Sequence, residues 1–158
     1  MSMICCLYPI AASTANELLN DPEQMEVLLE QMEEDNSDVI LSLEKSWHGL
    51  HYVLTGSAED GEAPLNFILH GREVGEDLGY GPPRLFLPEE VQQIDNILTA
   101  WTDTDFLQRF DPVTMDGAEL YPGIWNEPVD ELQEEYLAYF KEMKDFIQQA
   151  AKQQGIVN

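Results

Sequence analysis

Apolar positions recur along most of this chain at helical spacing, and one stretch near the start alternates instead. Residues 3–10 alternate and include the β-branched Ile4 and Ile10, which predicts a first strand. Ser13 is placed to cap a short helix running through Leu19. Asp21-Pro22-Glu23-Gln24 then reads as a helix start. Asp21 can accept a bond from an orphan N–H, Pro22 suits the first helical position, and Gln24 completes a capping-box spacing. Met25, Leu28, Leu29 and Met32 form one apolar stripe. The acids between Glu33 and Asp38 end it, because negative charge at a helix C-terminus opposes the macrodipole.

Leu43, Trp47, Leu50 and Leu54 predict a second amphipathic helix, capped by Ser42 and stopped at Thr55-Gly56-Ser57. Ala58 to Pro64 reads as a loop, and Leu65 to Leu69 suits either a short helix or a strand. Residues 71–84 are dense in Gly and Pro and predict a structured loop or a loose hairpin. Pro88-Glu89-Glu90 opens a third helix with the stripe Val91, Ile94, Ile97, Leu98 and Trp101. Asp103 can cap a shorter helix bearing Phe106, Leu107 and Phe110, which Asp111-Pro112 ends. Met115-Asp116-Gly117 predicts a turn, and Leu120 to Gly123 a short extended piece. The last helix is the longest: Asn126 caps it, Val129, Leu132, Tyr136, Phe140, Met143, Ile147 and Ala151 form its stripe, and Gly155 closes it. The expected fold is therefore α+β: one mostly helical domain, residues 1–158, packed on a small sheet begun by the N-terminal strand. Too few strands are in view for a doubly wound parallel sheet.

Charge narrows the range of partners. The chain has 158 residues, with 31 Asp and Glu against seven Lys and Arg, a formal charge of −24. Such a molecule is not built to displace counterions from nucleic acid, and an anionic membrane surface repels it. At 44% hydrophobic residues, with three Trp, six Tyr and six Phe, it has the composition of a globular protein. No basic residue precedes Lys45, and Pro9 interrupts the first apolar stretch, so that stretch reads as a strand and not as a secretory signal. Cys5 and Cys6 are adjacent, poorly placed for a disulfide, and are expected as reduced thiols on opposite faces of the strand. The expected compartment is the cytoplasm.

The stretch Leu43-Glu44-Lys45-Ser46-Trp47-His48-Gly49-Leu50-His51-Tyr52-Val53-Leu54-Thr55-Gly56 resembles the YfbM-like family of bacterial domains of unknown function. The shared pattern is a Lys, a Trp two places on, Leu-His, a few apolar residues and Thr-Gly. Gly79-Tyr80-Gly81-Pro82-Pro83-Arg84 is similar to that family's glycine-proline loop. Arg109-Phe110-Asp111, Tyr121-Pro122 and a final helix with Ala150-Ala151 also fit, in the family's order. The resemblance implies a compact α+β domain and brings no assigned activity, cofactor or catalytic residue. It also implies a final extended stretch after the last helix, where only Gly155 to Asn158 remain here.

Candidate chemistry is sparse. His48 and His51 sit one helical turn apart, but the His-Glu-x-x-His pattern of zinc peptidases is absent, so no metal site is expected. His51, between Leu50 and Leu54, reads first as a hydrogen-bonded, half-buried core histidine. The 71–84 loop is neither a dinucleotide-binding fingerprint nor a P-loop. It can still line a ligand, with Arg84 clamping an anion and Tyr80 as a stacking wall beside His51 and Tyr121. No Gly-x-Ser-x-Gly elbow occurs, and no cofactor is implied.

Every charged residue from Glu17 to Glu44 is acidic. A run of this kind is commonly a solvated face, or the mark of a salt-adapted cytoplasm. It also suits a basic protein partner, as when carboxylates of an inhibitor imitate phosphates. The leading expectation is a non-enzymatic protein-binding module, inhibitory or of immunity type, using Glu26, Glu30, Glu33 and Glu34. The alternative is a small-anion or hydrolytic site at His51, Tyr80, Arg84 and Tyr121.

Overall fold

The computed structural model describes residues 3–77 and 81–158. In chain order the elements are β1 (Cys5–Ala11), α1 (Ala12–Asn20), α2 (Gln24–Asp35), β2 (Leu41–Glu44), α3 (Trp47–Thr55), β3 (Arg72–Glu73), β4 (Arg84–Phe86), α4 (Pro88–Thr99), α5 (Asp103–Arg109), α6 (Pro112–Gly117), α7 (Val129–Ala150) and β5 (Gln154–Val157). The strands form one antiparallel sheet in the order β2-β1-β5-β4-β3. The expected α+β class and the N-terminal strand are both present. No helix among the described residues is long and apolar enough to cross a membrane.

Pleat alternation sorts the sheet residues between two cores. Leu7, Leu43, Phe86 and Ile156 face α3 to α7 and join the larger core. Ile10, Leu85 and Val157 face the other way and are covered by Ala15 and Leu18 of α1 and Met25, Leu29 and Met32 of α2. The middle of the sheet is thus buried on both faces, while the edge strand β3, Arg72-Glu73, is exposed.

Gly155 does not close the last helix. It lies in β5, the central strand, opposite Ile10 of β1. A Cβ there would sit 2.7 Å from the Phe86 carbonyl oxygen, so glycine is required by the close approach of β4. The Leu43 to Leu54 helix also needs correction, because Leu43 belongs to β2. Leu41-Ser42-Leu43-Glu44 alternates, with Leu43 fully buried. Glu44 then turns at φ +49°, and Ser46 binds the Leu43 carbonyl through both its N–H (2.9 Å) and its hydroxyl (2.6 Å). Ser42 is no helix cap; its Oγ accepts the Glu44 N–H at 3.2 Å. The four-residue step from Leu43 to Trp47 crosses from strand to helix and only imitates one helical stripe.

Several boundaries move for local reasons. Asp111-Pro112 stops α5 and also starts α6, the Asp111 carboxylate accepting the Val113 N–H at 3.1 Å. Met115 to Gly117 is therefore helical, not a simple turn. Thr102, not Asp103, caps α5: its hydroxyl accepts the Asp105 N–H (3.1 Å) while the Asp105 carboxylate accepts the Thr102 N–H (2.9 Å). Those bonds hold the Asp105 carboxyl below its ordinary range. Neither Ser13, Asp21 nor Asn126 is the cap of its helix: α1 starts at Ala12, α2 at Gln24 and α7 at Val129. Within residues 71–84, the hairpin alternative holds for β3 and β4, paired Arg72 to Leu85 and Glu73 to Arg84.

Candidate functional site

A cavity of about 400 Å³ opens where β5 ends. β5 pairs with β1 from Tyr8 onward and with β4 at Leu85 and Phe86, so the chain on either side of its last residue has no strand between it. Met3 to Cys6 form one wall, and Gly81 to Arg84 form another. Asn158 sits between them: its backbone exchanges two 2.9 Å bonds with Arg84. Its side-chain amide donates to the carbonyls of Phe67 (2.9 Å) and Ile68 (2.7 Å) and accepts the Cys5 thiol at 3.1 Å.

Cys5 packs against the larger core, whereas Cys6 lies beside Ser42 and Glu33, on the side that α2 covers. The β1–β2 register shifts between Cys5 and Cys6, and both residues line the cavity. Both are free. Burial pushes the Cys5 thiol up to about 12, the neighbouring Cys6 adding to this and Arg84 opposing it. Burial raises Cys6 as well, against a hydrogen bond with Ser42 and with the carboxylates of Glu44 and Glu33 adding to it. Both thiols are therefore neutral near pH 7.

Arg84 is half-buried at the cavity wall. Among the described residues its guanidinium has no hydrogen-bond or ion-pair partner. Four other cations are engaged. Arg72 meets Glu90 at 2.8 Å, Lys141 meets Asp103 at 3.7 Å, Lys144 donates to the Trp101 carbonyl at 2.6 Å, and Arg109 lies 4.6 Å over the Trp101 ring instead of pairing with Asp111.

His51 is elsewhere. It is fully buried, and it belongs to a clamp made by all three histidines of the chain. The Nε2 atoms of His48, His70 and His51 donate to three successive carbonyls, those of Ala58 (2.9 Å), Glu59 and Asp60 (2.7 Å). A carbonyl only accepts, so each Nε2 carries hydrogen and each neutral ring leaves Nδ1 bare. His48 Nδ1 accepts the Tyr121 N–H at 2.9 Å. His51 Nδ1 is buried with no partner among the described residues. The His48 and His51 rings are thus spent on pinning a loop, and no group of three or more His, Cys, Asp or Glu among the described residues could hold a metal.

Burial holds the His51 imidazole below its ordinary value, with His70 and His48 adding to this and the Asp60 carbonyl opposing it. The sign follows by linkage. Between the depressed folded value and the unfolded value near 6.5, the unfolded chain binds more protons, so stability falls as the pH is lowered. The contribution is fully present above the unfolded value. Urea midpoints taken from about pH 7.5 down to about pH 5.5 should therefore decline, and His51→Gln, which keeps a donor for Asp60 but does not titrate, should flatten the decline. An equal slope in both proteins would remove His51 as its source.

Tyr121 stands between clamp and cavity. Its hydroxyl accepts the Met3 N–H at 3.0 Å, and its ring stacks on Trp47 with centroids 5.5 Å apart. Trp47 also stacks on His48 at 5.0 Å, donates its indole N–H to the Met3 carbonyl at 3.0 Å, and lines the cavity. The structure therefore links Tyr121 to the cavity wall through Trp47, and Arg84 lies on that wall, while His51 is not part of the lining. Tyr80 lies outside the described residues. Trp47, Asn158 and the two thiols carried no sequence signal for this site, since strand register and the end of β5 decide their placement.

Glu26, Glu30, Glu33 and Glu34 are all exposed on α2. Glu33 differs from the rest, because its carboxylate accepts the Tyr8 hydroxyl at 2.7 Å.

Comparison with known proteins agrees with this architecture. No curated protein matches the chain. The crystal structure of YfbM from Escherichia coli, a protein of unknown function, superposes with a TM-score of 0.70 at 21% identity, covering 98% of this chain and 98% of that one. At that identity the match speaks for the fold alone. The family model for a domain of unknown function, DUF1877, matches residues 1–157. With that match over almost its entire length, the chain belongs to the DUF1877 family.

Proposed function

We propose that this domain is a non-enzymatic binding module that takes a basic protein on the outer face of α2. One observation carries the reading: α2 concentrates exposed carboxylates that have no cation within ion-pair reach among the described residues. Glu26, Glu30 and Glu34 follow one another at four-residue steps, where each like-charge pair costs an isolated helix about 0.2–0.5 kcal/mol. Glu33, Glu34 and Asp35 crowd the negative end of the helix dipole, which adds to the cost. A basic surface would offset both. Val27, 57% exposed among these acids, supplies an apolar contact at the centre. Carboxylates so arranged imitate phosphates, which favours a nucleic-acid-handling partner and an inhibitory role. The two free thiols suit a reducing compartment, so we place the protein in the cytoplasm.

The test is a triple reversal, E26K/E30K/E34K, leaving Glu33 to hold Tyr8. The partner is first captured from a lysate at low salt, identified, purified and its binding measured. Association of the triple variant should slow by at least about tenfold and depend less steeply on salt, with the circular dichroism spectrum unchanged. Binding at the unaltered rate would end this reading.

A further inference from the structure

We propose that the cavity at the end of β5 binds a small organic monoanion, a carboxylate or sulfonate joined to a flat apolar body. The cavity's size, about 400 Å³, lies within the roughly 300–1,000 Å³ of small-molecule sites. Its lining is largely apolar, including Ile4, Leu69, Pro82 and Trp47, and Arg84 is its one cation among the described residues. Of the three arginines, Arg72 pairs with Glu90 and Arg109 lies over the Trp101 ring, and among the described residues Arg84 alone has neither a carboxylate nor an aromatic partner. A half-buried guanidinium gives up hydration, and an anion in the cavity restores what it lost. Neutral thiols on the opposite wall leave that positive charge uncancelled. One guanidinium matches one negative charge, and the strongly negative remainder of the protein disfavours a dianion. The body of the ligand is set by Trp47, whose ring is fixed by its bond to Met3 and its stacking on Tyr121, and by the rigid Pro82-Pro83 wall. A wall held in place before binding saves ordering entropy.

Anilinonaphthalene sulfonate is such a monoanion, and N-phenylnaphthylamine is its uncharged counterpart. Titrations of both into the wild-type protein and Arg84→Gln, followed by fluorescence, test the charge. Alkylation of Cys6 by uncharged iodoacetamide, with and without saturating sulfonate, tests the place. The sulfonate should bind saturably, and Arg84→Gln should weaken it by at least about tenfold while leaving the uncharged dye little changed. Bound sulfonate should slow Cys6 alkylation several-fold. Should Arg84→Gln fail to fold, protection of Cys6 in the wild-type protein decides alone. No saturable binding, equal binding by a folded Arg84→Gln, or unprotected Cys6 each overturns the proposal.

Discussion

A chain that ends at Gln153 will not fold. Residues 154–158 include the strand that joins the two halves of the sheet, since β1 and β4 pair only through β5. Ile156 and Val157 are buried on opposite faces, one in each core. Losing those two side chains removes roughly 3–6 kcal/mol of burial. The ladder bonds of β5 and the three side-chain bonds of Asn158 go with them, at about 0.5–1.5 kcal/mol each. The total is comparable with the whole stability of a domain, about 5–15 kcal/mol. It also exposes two apolar strand edges that invite aggregation. Expression of residues 1–153 should give insoluble protein, or a soluble chain without a cooperative thermal transition by circular dichroism. A cooperative melt close to that of the full chain would show that the sheet closes without its central strand.

That same strand was the least legible element in the sequence. Four residues, beginning Gln-Gly, carry no alternation to speak of, and Gly155 after a long helix imitates a cap. Its identity comes from long-range pairing, which local patterning does not encode. Helices α4 and α7 were legible because each repeats its apolar stripe over several turns, and tertiary contacts then only confirm the buried face. Leu43 marks the boundary case: one buried strand residue, followed after a turn by a helix, kept a helical spacing by coincidence. The candidate site divides in the same manner. Arg84 could be named from a glycine-proline loop and a scarcity of cations. His51 could be named as a hydrogen-bonded core histidine; it is one through Nε2, but it is fully buried instead of half-buried and its Nδ1 has no partner among the described residues. That Cys5 and Cys6 share a cavity depends on where β5 ends between β1 and β4, and that Trp47 lines it depends on where β2 stops. Neither is a property of any short window of sequence.

Replacing Phe140 by alanine should have the largest effect of any single core substitution. Its ring is fully buried at the middle of α7 and stacks on Phe106 at 4.5 Å, with Trp101 at 6.0 Å and the Lys144 ammonium 5.6 Å away. Phe106 in turn touches Phe110, which meets Trp125 and Tyr136, so one ring seats a cluster drawn from α5, α7 and the segment between α6 and α7. Aromatic rings cannot collapse into such a hole without leaving their rotamers, so the cavity stays open and the cost is high, about 3–5 kcal/mol. For a chain of this length that corresponds to a fall in Tm of roughly 6–20 °C. The loss should reach the histidine clamp too. Gly49 of α3 has no side chain because the Tyr136 ring lies 2.7 Å from where its Cβ would be, so α3 is seated directly on α7. Once α7 loosens, the helix that carries His48 and His51 loses its support, and the Ala58 to Asp60 loop should become the first backbone to gain hydrogen exchange. Val113→Ala, at a position 80% exposed, is the matching control and should change stability by no more than about 0.5 kcal/mol. If Phe140→Ala melts within about 2 °C of the wild-type protein, the ring cluster is dispensable and α3 must be held by something other than its seat on α7.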